Sequence, residues 1–187
     1  MGSACVPLAD RLDALLPQTQ CGRCGHGGCR PYAEAMANAL APPNRCPPGG
    51  ESTLAALCSE LGVAPLDLDP ATGAYGPPTV AMIDESVCIG CAKCLPVCPV
   101  DAIVGARRYL HTVIAAECSG CELCIPACPV DCIVLLPTRT QCLTPAELGD
   151  RAGQYRARYD AQKARRAAAQ AHRARALGAA ASRPESP

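Results

Sequence analysis

Two runs of cysteines share the spacing C-x2-C-x2-C-x3-C-P: Cys88, Cys91, Cys94 and Cys98-Pro99, then Cys118, Cys121, Cys124 and Cys128-Pro129. Three thiolates at two-residue gaps can wrap one face of an iron–sulfur cube. In two-cluster proteins with this spacing the fourth cysteine of each run serves the other cluster. One [4Fe-4S] cluster is therefore expected on Cys88, Cys91, Cys94 and Cys128, and another on Cys118, Cys121, Cys124 and Cys98. Two zinc sites are the alternative, but zinc usually takes two C-x2-4-C pairs separated by a longer loop. A third run, Cys21, Cys24 and Cys29, lies in the glycine-rich loop QCGRCGHGGCR, and Cys46-Pro47 offers a fourth thiol after a helix-length spacer. Glycines 22, 25, 27 and 28 let that backbone turn its N–H groups toward an anion. This spacing alone leaves [4Fe-4S] and zinc both open. The Cys-Pro ending shared by all three runs, and the use of a third cluster as a relay, favour iron.

Of the 16 cysteines, these runs leave Cys5, Cys58, Cys132 and Cys142. Cys58 falls on an apolar helical stripe and Cys132 takes the place of Ala102 in the preceding repeat, so both read as buried structural thiols. Cys5 and Cys142 read equally as exposed thiols or as buried filler. His26, inside the first loop, reads as a solvent-facing residue and not a ligand. GHGG is too short for a dinucleotide fingerprint, and neither a phosphate-binding loop nor a nucleophile–base set is visible. The pattern fits a chain that passes electrons and holds no flavin or nicotinamide of its own.

The elements that must position these thiols are short. Leu8, Leu12, Leu15 and Leu16 mark one face of a helix closed by Pro17. Pro31 opens a second helix to about Ala41, and a third over about Glu51–Leu61 carries Leu54, Leu57, Cys58 and Leu61 on one stripe. Residues 62–78, rich in Pro, Gly and Asp, read as a linker. From Val80 the chain repeats with a period of 30 residues, aligning 88–104 with 118–134. TVAMI (79–83) and HTVIA (111–115) read as strands, so each repeat is expected to run strand, cysteine loop, short helix, second strand. Thr144, Pro145 and Glu147 form a helix start of N-cap, N1 proline and capping-box acid, leading to an exposed helix to about Leu177 and a frayed SRPESP end.

Composition agrees. The chain has 187 residues, 49% hydrophobic, but no Phe or Trp and only 5 Tyr, so much of its apolar content is Ala and Cys. Small domains with so little core commonly depend on metal or disulfide staples. No signal peptide and no span of 18 apolar residues is legible, and clustered thiols in a reducing cytosol point to metal. The formal net charge of 0 conceals an acidic body and a basic tail: residues 1–144 hold 8 Lys/Arg against 13 Asp/Glu, and residues 145–187 hold 9 against 4. Between the second and third cysteines the runs differ, Ala92-Lys93 in one and Glu122-Leu123 in the other. A unit charge roughly 6 Å away, at an effective dielectric of about 20 to 80, is worth about 0.7 to 2.8 kcal/mol, or on the order of 30 to 120 mV for one electron. The Cys88 cluster is accordingly expected at the higher potential.

PQTQCGxCGxxGCRPYAEA, then NxCPPGGE, then repeats with CIGCxKC, CPVDAIVGA and CPVDCI, closely resemble the B subunit of the Rnf/Rsx-type electron-transport complex over roughly Leu8 to Leu136. The resemblance implies an α+β architecture: a small helical [4Fe-4S] domain (1–61), the linker (62–78), and a two-cluster bacterial-ferredoxin-like domain (79–136) with pseudo-twofold repeats 79–108 and 109–136. A basic Ala/Arg-rich tail (137–187), expected as an exposed helix, follows. It also implies the same twelve ligands, three [4Fe-4S] clusters, and single-electron relay between cytoplasmic partners and a membrane-bound, ion-translocating oxidoreductase. The hydrophobic N-terminal anchor usual in that family has no counterpart here, and the tail is foreign to its core pattern. The expectation is an electron carrier without enzyme activity of its own. It would be cytoplasmic or peripheral on the cytoplasmic face of the inner membrane, with redox proteins or subunits of such a complex as partners and no small-molecule substrate. Two other readings are a stand-alone soluble ferredoxin and an iron–sulfur redox sensor using the basic tail on nucleic acid, the latter disfavoured. For the tail itself, contact with an anionic membrane surface, a partner protein, or water alone all fit.

Overall fold

A computed structural model describes residues 6–181; Cys5 and the SRPESP end lie outside the described residues. The first helix, α1 (Leu8–Leu15), follows Pro7 and stops where Leu16 becomes extended, ψ 147°, ahead of Pro17. The second, α2 (Cys29–Ala37), begins and ends earlier than the Pro31–Ala41 expectation. Its start moves because the Gln20 side chain accepts from the Cys29 N–H at 2.9 Å, so the helix needs no proline to begin. Its end moves because Ala39 takes a left-handed φ of 55° and the Leu40 N–H returns to the Ala35 carbonyl at 2.8 Å. The third, α3 (Gly50–Leu61), ends on left-handed Gly62, φ 66°, as expected for a glycine in that place. Leu12, Leu16, Tyr32, Ala33, Met36 and Leu57 close one core around these helices.

Residues 62–78 form only a short 3-10 turn at Pro70–Thr72, but they are not a free tether. Asn44 holds the Asp67 carbonyl and the Asp69 N–H, Arg45 pairs with Asp69 at 3.5 Å, and Tyr75 donates to the Leu143 carbonyl at 2.9 Å.

Strand β1 (Thr79–Ile83) pairs antiparallel with β4 (Ile133–Pro137), and β2 (Ile103–Val104) with β3 (Thr112–Val113). The first strand of one repeat is therefore paired with the last strand of the other. A second core, built on Ala81, Ile83, Val100, Ala102, Ile103 and Ile133, lies between them. The short helix expected in each repeat is absent: residues 95–97 and 123–127 are turns. Each C-x3-C-P segment holds two prolines, Pro96 and Pro99 or Pro126 and Pro129, and each proline removes a helical donor. Within HTVIA only Thr112–Val113 is strand, because the chain enters a 3-10 turn at Ala115–Glu117.

The last helix, α4 (Pro145–Ala181), starts on the capping box read from the sequence. Glu147 accepts from the Thr144 N–H at 2.7 Å, and the Glu147 N–H reaches Thr144 Oγ1 at 3.3 Å. The expectation of an exposed tail helix is corrected for its first half. Leu148, Ala152, Tyr155 and Gln162 are buried, and residues 163–176 are exposed. The docked half lies across both cores. Arg156 pairs with Asp13 and donates to its carbonyl at 2.7 Å, while Arg158 pairs with Glu117 at 2.7 Å and donates to the Val100 carbonyl at 2.8 Å. Gln162 donates to the Cys98 carbonyl, Arg165 pairs with Asp101, and Arg166 donates to the Pro96 carbonyl. Much of the tail's positive charge is thus engaged by acids and carbonyls of its own chain.

Candidate metal centres

The first cysteine loop is held by a knot of buried amides. Gln18 and Gln20 both sit at left-handed φ, 57° and 56°. Gln18 donates to the Asp13 carbonyl at 2.7 Å and Gln20 donates to Gln18 Oε1 at 2.9 Å, which leaves Gln20 Oε1 free to hold the Cys29 N–H. A Cβ on Gly28 would stand 2.7 Å from that same oxygen, which explains the glycine before Cys29. Sequence reasoning assigned Gln18, Gln20 and Asp13 no role; the one signal was two glutamines directly ahead of the run. Burial pushes the Cys29 thiol up to about 12, and the neighbouring Cys21 and Cys24 push the same way. Burial also drives Cys46 well above its usual range, with Cys29, Cys21 and Cys24 adding to it. All four cysteines line one small pocket, walled also by Leu16 and Tyr32. His26 is half-buried, with its ring 5.2 Å from that of Tyr32 and Nδ1 3.2 Å from the Cys24 carbonyl oxygen, and so is not the solvent-facing residue expected.

In the repeats the fourth cysteine crosses over. Burial raises the Cys94 thiol, and Cys91, Cys88 and Cys128 raise it further. Burial pushes Cys124 up to about 12, with Cys121, Cys118 and Cys98 acting in the same direction. Cys98, Cys118, Cys121 and Cys124 line a second small pocket. The pseudo-equivalent Gly90 and Gly120 take φ 67° and 65°, and a Cβ there would meet the Tyr109 carbonyl oxygen at 2.9 Å or that of Thr79 at 2.5 Å. Each loop therefore lies directly on a neighbouring strand or turn.

Of the four remaining cysteines, Cys58 and Cys132 are buried as expected and Cys142 is exposed. Glu122 does not stand alone as a charge beside its loop: it pairs with Arg23 of the first loop, so the Lys93/Glu122 contrast is muted. Ser119 donates to the Thr19 carbonyl at 3.2 Å, a second link between the same loops. The first site thus abuts the Cys98/Cys118/Cys121/Cys124 site, with the Cys88/Cys91/Cys94/Cys128 site beyond it.

The donor sets suit a cluster better than one ion. A single zinc ion at about 2.3 Å from each sulfur draws its thiolates into mutual contact. Among the described residues no three His, Cys, Asp or Glu side chains converge that closely. Thiols grouped in fours but more loosely than that, in runs with the spacing a [4Fe-4S] core takes, fit the larger group.

The family model described as "4Fe-4S dicluster domain" matches residues 81–135, and the one described as "Putative Fe-S cluster" matches residues 16–48. Curated relatives, each named as the B subunit of an ion-translocating oxidoreductase complex, include that of Alkalilimnicola ehrlichii, 59% identical over 112 residues (59% of this chain, 60% of the relative). That of Thiobacillus denitrificans is 59% identical over 111 residues (59% of each chain), and that of Pseudomonas paraeruginosa 61% over 109 residues (58% and 56%). Over these stretches the chain is similar to these B subunits. The alignments span about three-fifths of the length of these relatives. All twelve cysteines of the three runs fall inside the two matched segments, whereas α4 lies outside both.

Proposed function

We propose that this chain is an electron carrier with three [4Fe-4S] clusters, held by Cys21/Cys24/Cys29/Cys46, by Cys98/Cys118/Cys121/Cys124 and by Cys88/Cys91/Cys94/Cys128, in that spatial order. When bound, each such cluster supplies a one-electron couple with little atomic movement. The observation that carries the reading is the convergence of the thiols in fours, including the crossing of Cys98 and Cys128 between repeats. The protein's own residues supply the rest. The buried thiols must shed protons to bind metal, which couples loading to pH. The Arg23–Glu122 pair and the Ser119–Thr19 contact keep the first site against its neighbour.

Homology to the complex's B subunit supports a place beside other redox subunits, with residues 1–61 and 79–136 as the two cluster-bearing domains and cytoplasmic proteins on one side of the relay. Among the described residues no helix is long and apolar enough to cross a membrane. Contact with an anionic membrane surface would fall to the exposed end of α4, where Arg173 and Arg175 lie. The sensor reading loses support because Arg156, Arg158 and Arg165 already pair with acids of the same chain.

The test is iron, acid-labile sulfide and zinc per chain on anaerobically purified protein, with EPR after reduction. About twelve iron and twelve sulfide support three clusters, whereas about eight iron with one zinc would make the first loop a structural clamp.

A further inference from the structure

The repeats are pseudo-equivalent in backbone but not in what faces their sulfurs. An offset of 30 residues carries Ala81 onto His111, Ala102 onto Cys132, Cys118 onto Cys88 and Cys98 onto Cys128. Around the Cys98/Cys118/Cys121/Cys124 site the donors at these places are backbone N–H groups: Ala81 N–H lies 3.5 Å from Cys118 Sγ and Ala102 N–H lies 3.2 Å from Cys98 Sγ, while the Ser119 hydroxyl beside Cys121 is shared with the Thr19 carbonyl at 3.2 Å. Around the other site two side chains with protons stand there, in addition to backbone N–H groups of Val130, Asp131 and Cys132 that face Cys128. His111 Nδ1 is 3.4 Å from Cys88 Sγ, and the Cys132 sulfur is 3.4 Å from that of Cys128.

His111 is 1% exposed, and room for it is made in the backbone. A Cβ on Gly105 would fall 2.3 Å from His111 Cδ2. The corresponding pair across β1 and β4 is Ala81 opposite Leu135, so the large and small partners have exchanged sides. His111 Nε2 is buried and has no partner among the described residues. A ligating thiolate can only accept, so the proton between His111 and Cys88 belongs to Nδ1. By the same reasoning the proton between Cys132 and Cys128 belongs to Cys132.

We propose that His111 and Cys132 donate hydrogen bonds to the Cys88 and Cys128 sulfurs and thereby hold that cluster at a higher potential than its pseudo-symmetric twin. The inference rests on the three-cluster reading. Donors to a ligand sulfur withdraw negative charge and favour the reduced cluster. It gives the potential order a cause in the site itself, where the Lys93/Glu122 contrast is muted by Arg23. Both side chains are positioning residues that act through a ligand.

The test is an EPR-monitored redox titration of the full chain, with iron counted for every variant. His111→Leu removes the ring donor and should lower one midpoint so that its reduced-to-oxidised ratio at fixed poise falls about tenfold, 59 mV for one electron. The other two midpoints should hold. Cys132→Ala, which installs the residue found in the first repeat, should shift the same midpoint downward by less, since S–H is a weak donor. Cys132→Ser keeps a donor and should restore it. Should His111→Leu fail to load iron, Cys132→Ala against Cys132→Ser decides alone. Unchanged midpoints in fully loaded variants, or all three moving together, would overturn the proposal. A parent protein without about twelve iron would instead overturn the three-cluster reading beneath it.

Discussion

The helical module and the repeat module solve the same problem, holding thiols around a cavity, by opposite means. In residues 8–61 the four cysteines belong to one continuous stretch, and a side-chain knot of Asp13, Gln18 and Gln20 fixes their loop. In residues 79–137 the loops are fixed by strands paired between repeats, and the last cysteine of each run lies beside the other run, where the proposed ligand sets use it. A local solution fails locally. A reciprocal one ties each site to the folding of the other, with ligand exchange acting as a cross-link between two halves that each lack a core of their own.

The sharpest way to break this contrast is to remove one ligand from each module. Cys29→Ala should cost the first site alone and leave about eight iron, with the repeat module's thermal transition unmoved. Cys128→Ala should cost the Cys88 site and also loosen Cys98 in its partner. Iron should then fall below about eight, with a much lower melting temperature. Equal losses from the two variants would remove the distinction.

Next in size is Gly28→Ala. Its φ of 148° and the approach to Gln20 Oε1 place the strain inside the knot, and a cost of about 1–3 kcal/mol to the helical module is expected. Differential scanning calorimetry should show that transition move and the other stay. Arg156→Ala removes the bond between α4 and the buried Asp13. Hydrogen bonds to charged groups contribute about 1.5–3 kcal/mol, so the transitions of the two modules should then lie further apart than in the parent. The smallest effect belongs to the capping box: Thr144→Ala should cost about 1 kcal/mol, read as faster amide exchange in the first turn of α4. Truncation after Gln170 should leave all these quantities unchanged, since residues 163–176 are exposed.

What could be read beforehand was whatever leaves a periodic or spaced mark. The cysteine runs, the leucine stripe of α1, the apolar stripe of α3 and the Thr144–Glu147 start of α4 all did. The docking of α4 did not, because Arg156 meets Asp13 across 143 residues of sequence and arginines bonded to carbonyls make no apolar stripe. The short helices expected in the repeats gave way to turns because paired prolines outweighed a pattern borrowed from the strands around them. His111 stood inside a stretch read only as strand, and its neighbour on the Cys88 sulfur is fixed by a fold the single repeat does not display.

The strap formed by α4 also bears on motion between the modules. Its contacts with Asp13, Val100 and Asp101 come from residues 156–165, a stretch of helix about 15 Å long. A stiff rod fastened at both ends cannot follow one module without the other, so turning the modules against each other must first break charge-assisted hydrogen bonds.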